Sequence, residues 1–116
     1  MTSNPKTSLD WAYEFQCDLS LEALLDALEA NGPWSWTQRE SYVEGSYINC
    51  RPDGHSRIKI NKFPQGFVDR DGQEGFSALI RTSLDDAAAR QALDRSLKEL
   101  VKAVGATELV AIEPYD

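Results

Sequence analysis

The sequence predicts an α+β fold: a two-layer sandwich in which two helices cover one face of a mainly antiparallel sheet. Three observations lead there. Leu21, Leu24, Leu25 and Leu28, and again Leu93, Leu97, Leu100, Val101 and Val104, recur at three- and four-residue steps, which stacks each set on one helix face. Between the two sets lie four strand-like stretches joined by short connections, the pattern of an antiparallel meander. The chain has 116 residues, one domain's worth, and that length buries a core without metals or disulfides.

Residues 1–8 are polar and contain Pro5, so they read as a loose tail ahead of a single domain at 9–116. From Leu9 to Cys17 the chain alternates. Leu9, Trp11, Tyr13, Phe15 and Cys17 share one side, the mark of a half-buried strand. Asp18 and Ser20 offer caps for the first helix, and Asn31-Gly32-Pro33 ends it, with Gly32 suited to a left-handed cap. Trp34 to Ser41 alternates again, with Trp34 and Trp36 on one side. Glu44-Gly45-Ser46 reads as a turn, and Tyr47 to Arg51 as a strand with Ile48 and Cys50 on its apolar side. Pro52-Asp53-Gly54 is a turn signal. Arg57 to Lys62 is the cleanest amphipathic strand, with Ile58 and Ile60 pointing in and Arg57, Lys59 and Asn61 pointing out. Phe63 to Gly75 reads as a loop and Phe76 to Thr82 as a strand. The long helix follows, from a Ser83 cap with Asp85 and Asp86 near its start to Gly105 at its end. Asp94–Lys98 and Arg95–Glu99 are four apart on its polar side, spaced to pair. Glu108 to Ile112 closes the chain as a strand. The order β-α-β-β-β-β-α-β fits a ferredoxin-like βαββαβ arrangement with an extra hairpin, a comparison of architecture that implies no function. No family motif is recognised.

The formal net charge is −7, which argues against general nucleic-acid binding and against anionic membrane surfaces. No apolar run is long enough to span a bilayer, and the N-terminus shows no secretory h-region, so the expected compartment is the cytoplasm. The charge is unevenly spread. Residues 39–70 carry six basic and four acidic side chains, the only part of the chain that leans basic.

That stretch supplies the candidate site. If the helices cover the side bearing Trp34, Trp36, Ile48, Ile58 and Ile60, the other side shows Thr37, Asn61 and the six candidate binding residues Arg39, Tyr47, Asn49, Arg51, Arg57 and Lys59. Arginine forks suit carboxylates and phosphates, and tyrosine gives a flat contact surface. The expected function is non-enzymatic binding of an acidic protein partner, an anionic ligand or a second copy in a homodimer. Against this, an antiparallel sheet with one wet face needs polar residues there whatever it does.

Two other readings compete. Trp11, Trp34 and Trp36 could line the pocket of an enzyme or carrier, although large aromatics more often pack cores. Glu22, Asp26 and Glu29 on the first helix could meet a basic partner, as in an inhibitor or immunity-type protein. Enzyme chemistry would fall to His55, Cys50 or the carboxylates Glu40 and Glu44, none of which has a spacing that specifies a reaction. Cys17 and Cys50 read as reduced core residues. The D-x-D-G run at Asp69–Glu74 lacks the ligands of a calcium loop and reads as a turn. With one histidine and no nucleotide or metal fingerprint, no cofactor and no metal are expected.

Overall fold

The computed structural model describes residues 9–41, 45–62 and 75–112. The tail at 1–8, the D-x-D-G run, Glu44 and most of the Phe63–Gly75 loop lie outside the described residues. The elements are β1 (Leu9–Gln16), α1 (Leu21–Asn31), β2 (Thr37–Ser41), β3 (Gly45–Cys50), β4 (Ser56–Lys62), β5 (Gly75–Thr82), α2 (Ala87–Ala103) and β6 (Thr107–Ile112). They form the expected two-layer α+β sandwich. The six strands make one sheet in the order β2-β3-β4-β5-β1-β6, and every neighbouring pair is antiparallel. The meander from β2 to β5 is as the run of four successive strands implies. Placing β1 between β5 and β6 is consistent with a ferredoxin-like order enlarged by a hairpin.

The inward parity follows the alternation. Tyr13 and Phe15 of β1, Ile48 and Cys50 of β3, Ile58 and Ile60 of β4, and Phe76, Ala78 and Ile80 of β5 join Leu24, Leu28, Leu93, Leu97, Leu100 and Val101 of the helices in one core. Ile48, Ile58, Ile60 and Ile80 are fully buried. Burying a side chain of this size stabilises the fold by about 1.5–3 kcal/mol, so a one-residue slip of β4 would forfeit two such burials and bury Arg57 and Lys59 instead.

Several boundaries differ from the sequence reading, each for a local reason. The strand expected from Trp34 begins at Thr37. Trp36 is instead held at the sheet margin by its backbone N–H, which donates to Glu29 Oε2 at 3.0 Å, and its ring is buried. Ser20 caps α1, accepting from the Ala23 N–H at 3.1 Å. α2 is capped by Asp86, which accepts from the Ala88 N–H at 3.2 Å, and not by Ser83. Ser83 is still tied to the sheet, its N–H donating to the His55 carbonyl at 3.0 Å. Gly32 is extended, with φ −138° and ψ 174°, so it is not the left-handed cap expected. Gly105, at φ 102°, does take a conformation that favours glycine.

A chain of hydrogen bonds bolts the β3–β4 turn to the β5–α2 connection. Ser56 Oγ donates to Asp53 Oδ2 at 3.2 Å and meets Thr82 Oγ1 at 2.7 Å, and Thr82 Oγ1 accepts from the Leu84 N–H at 3.1 Å. Ser56 and Thr82 are both buried and face each other across β4 and β5. No described helix is long and apolar enough to cross a membrane.

Candidate ligand-binding face

The sheet's outer face is set by cross-strand register, because directly opposed residues share a face. One row runs Thr37–Asn49–Lys59–Leu79–Ala12–Ile112 from β2 to β6. A second places Arg57 opposite Arg81 and Arg81 opposite Asp10. Arg39 faces Tyr47 at the β2 end. Arg57 and Lys59 are therefore outward and half-buried, as the alternation of β4 requires.

Of the six candidate residues, the structure gathers some and scatters others. Lys59 and Tyr47 come together, with Lys59 Nζ 5.3 Å from the centre of the Tyr47 ring. That is a cation–π distance. Asn49 sits beside Lys59 across β3 and β4. Arg39 is exposed on the edge strand, and Arg51 is exposed just beyond the end of β3. Arg57 and Lys59 line a cleft of about 130 Å³ whose other walls are Leu79 and Arg81.

Leu79 and Arg81 were not among the candidates. β5 reads Gly-Phe-Ser-Ala-Leu-Ile-Arg-Thr, a nearly continuous buried run that hides which side chains face out. The register settles it, since Lys59 lies opposite Leu79. Leu79 is only 6% exposed although it faces outward, so it forms an apolar floor for the cleft. Ala12, Ser77 and Asn61 are also buried on this face, which is less open to water than alternation alone suggests.

The electrostatics of the cleft are unequal. Arg81 is clamped: its Nε and Nη2 donate to Asp10 Oδ1 and Oδ2, both at 3.0 Å. This two-pronged geometry is the strong form of the pair. The side chain of Arg57, directly across from Arg81, has no hydrogen bond or ion pair to a described residue. Two like charges opposed on neighbouring strands repel.

The other candidate residues are placed elsewhere. Trp11 lines an open groove of about 360 Å³ between β1 and α2, together with Tyr13, Ala87, Arg90, Gln91 and Asp94. Trp34 lines a different cleft, of about 260 Å³, between the end of α1 and α2. Trp36 is buried beside Trp34, their ring centres 6.4 Å apart, and its Nε1 has no hydrogen-bond partner. Trp11 and Trp34 thus line two different clefts, and Trp36 is in the wall of neither.

In the groove beside α2, Asp94 Oδ1 accepts from Trp11 Nε1 at 2.8 Å and from the Tyr13 hydroxyl, while Asp94 Oδ2 pairs with Lys98 at 3.1 Å. Burial, reinforced by the bond to Asp94, raises the Tyr13 phenol above its ordinary value. The bonds to Asp94 and then Tyr13 hold Lys98 above its own. Asp94 and Lys98 are therefore a tie to β1 as well as a helix-surface pair. Arg95 and Glu99, expected to pair at the same spacing, stay exposed, and no ion pair joins them.

Cys50 is 3% exposed and burial pushes its thiol up to about 12, so it holds its proton at neutral pH. Cys17 is buried and unpaired, its Sγ 3.9 Å from the Val104 carbonyl. His55 is exposed in the β3–β4 turn, where its backbone N–H donates to Asp53 Oδ1 at 2.7 Å. Glu40 is exposed on β2. Among the described residues no cluster of three or more His, Cys, Asp or Glu side chains is placed to hold a metal ion. Glu22, Asp26 and Glu29 lie exposed along α1.

No protein-family model matches the chain, and no curated protein matches it in sequence.

Proposed function

We propose that this protein acts by binding a small anionic ligand on the outer face of its sheet, in the cleft between Arg57, Lys59 and Arg81. The observation that supports this reading is Arg57. Its guanidinium stands across from another arginine, at the rim of a cleft, with no carboxylate among the described residues to balance it. Arg81 has Asp10; an incoming carboxylate or phosphate would do for Arg57 what Asp10 does for Arg81. Leu79 supplies an apolar floor against which a short stem can rest. The cleft's volume of about 130 Å³ suits one anionic group and a few attached atoms rather than a folded partner. Tyr47 and Asn49 extend the polar surface toward β2 and would contact the remainder of a longer ligand.

The reading is tested by following backbone amides while titrating the protein with phenyl phosphate and with benzoate. Shifts centred on Arg57, Lys59, Leu79 and Arg81 are expected, weakening with added salt, and lost in Arg57→Gln. Arg51→Gln, beyond the end of β3, should leave them in place. No shift with either anion, or shifts indifferent to Arg57→Gln, would overturn the proposal.

A further inference from the structure

We infer that β6 is an assembly edge, pairing antiparallel with β6 of a second copy of the chain so that two six-stranded sheets become one. The two edges of the sheet are unlike. β2 carries Gln38, Arg39 and Glu40, all exposed, and charge of this kind blunts an edge against further pairing. β6 runs Thr-Glu-Leu-Val-Ala-Ile, with no lysine, arginine or proline. Val110 is 55% exposed, the one large apolar side chain so open among the described residues.

The occupant follows from the strand's own pattern. β6 follows β1 regularly from Val110 to Ile112, opposite Glu14, Tyr13 and Ala12. The register shifts between Thr107 and Val110, where Glu108 takes a positive φ of 55°. An irregularity of this kind bends a strand and limits a ladder to the part beyond it. A two-fold axis through Ala111 uses only the regular part. It sets Val110 of each copy against Ile112 of the other, on the same outer face, giving two β-branched cross-strand pairs. The same register holds the two Glu108 carboxylates apart. Glu108 is the only charge on the strand, so nothing there selects a foreign strand by charge, whereas an identical strand matches residue for residue. The site is separate from the basic cleft, since β1 lies between β5 and β6.

A ladder this short makes a weak dimer, visible as concentration dependence. Each copy carries a formal charge of −7, so long-range repulsion opposes the contact and added salt should tighten it. Light scattering should show the mass rising with concentration from 13.0 kDa toward twice that value, and rising further with salt. The amides of β6 should gain protection from hydrogen exchange over the same range. Val110→Lys should hold the chain at the monomer mass with unchanged far-ultraviolet circular dichroism, and Val110→Ile should keep the dimer. A mass that stays monomeric to millimolar concentration overturns the inference. So does a dimer that survives Val110→Lys, or one that weakens with salt and is dissociated by Arg57→Glu with Lys59→Glu, which would assign the contact to the basic face.

Discussion

Leu100 of α2 lies against Gly32 at the end of α1 so closely that a methyl group on Gly32 would sit 2.9 Å from Leu100 Cδ1 and 3.1 Å from Cδ2. The backbone at Gly32 is extended and any residue could adopt it, so the glycine is there for the space it leaves. Leu100 is buried and part of the core, so a methyl group on Gly32 would force the end of its side chain to turn from its packed position toward the cleft that both residues line. Gly32→Ala should therefore destabilise the fold by about 1–2 kcal/mol, the usual scale of overpacking. Urea unfolding of Gly32→Ala, Leu100→Ala and the double variant checks the cause. The double variant should be more stable than the sum of the single losses, because shortening Leu100 removes the clash. Additive losses would place the effect in the backbone.

The same residue shows why the layers were legible in the sequence and the contacts between them were not. Parity in β4 is written in four consecutive residues, Arg57-Ile58-Lys59-Ile60, because only one face of that strand meets the helices. Gly32 looks identical in sequence whether it turns the chain or admits a neighbour, and only the approach of Leu100, far along the chain, distinguishes the two. Asp94 is the parallel case. Its spacing to Lys98 marks a helix-surface pair, yet its other oxygen binds Trp11 and Tyr13 on a strand over eighty residues earlier. The candidate site divides in the same way. β4 gave up Arg57 and Lys59 through alternation. β5, buried almost end to end, shows no alternation from which Leu79 and Arg81 could be read.

Three raised proton affinities give the fold an alkaline limit. Cys50 is held near 12 against an ordinary 9.0 because its thiolate would be buried. Tyr13 and Lys98 are raised as well, by burial and by Asp94 respectively. In each case the folded state keeps a proton that the unfolded chain gives up, so stability is complete below the unfolded value and falls as pH rises through it. The decline should begin near pH 9 with Cys50 and steepen above about pH 10 as Tyr13 and Lys98 join. At full effect the buried Cys50 thiol contributes a slope of at most ~1.4 kcal/mol per pH unit, and Lys98, whose side chain is 41% exposed, contributes far less because water screens its partners. Urea midpoints measured from neutral pH upward should fall less steeply between about pH 9 and 10 in Cys50→Ala, although that variant starts from a lower midpoint because it leaves a cavity. An unchanged slope in Cys50→Ala would show that the buried thiol is not the cause.

Arg57 joins stability to ligand binding through a single charge. It is opposed to Arg81, which is already engaged by Asp10. Like charges directly opposite destabilise a strand pair by a few tenths of a kcal/mol to about 1 kcal/mol. Arg57→Gln keeps a polar, outward side chain of similar reach and removes the repulsion, so it should raise the unfolding free energy by about 0.5 kcal/mol at low salt. The gain should shrink as salt is added, because the wild-type repulsion is screened. The same substitution should abolish the anion-induced shifts at Leu79 and Arg81. A side chain whose removal stabilises the free protein and destroys the response to anion is held at its position for the ligand rather than for the fold. If Arg57→Gln lowers stability at every salt concentration, Arg57 is a structural partner of this face, and the cleft loses the residue on which anion recognition depends.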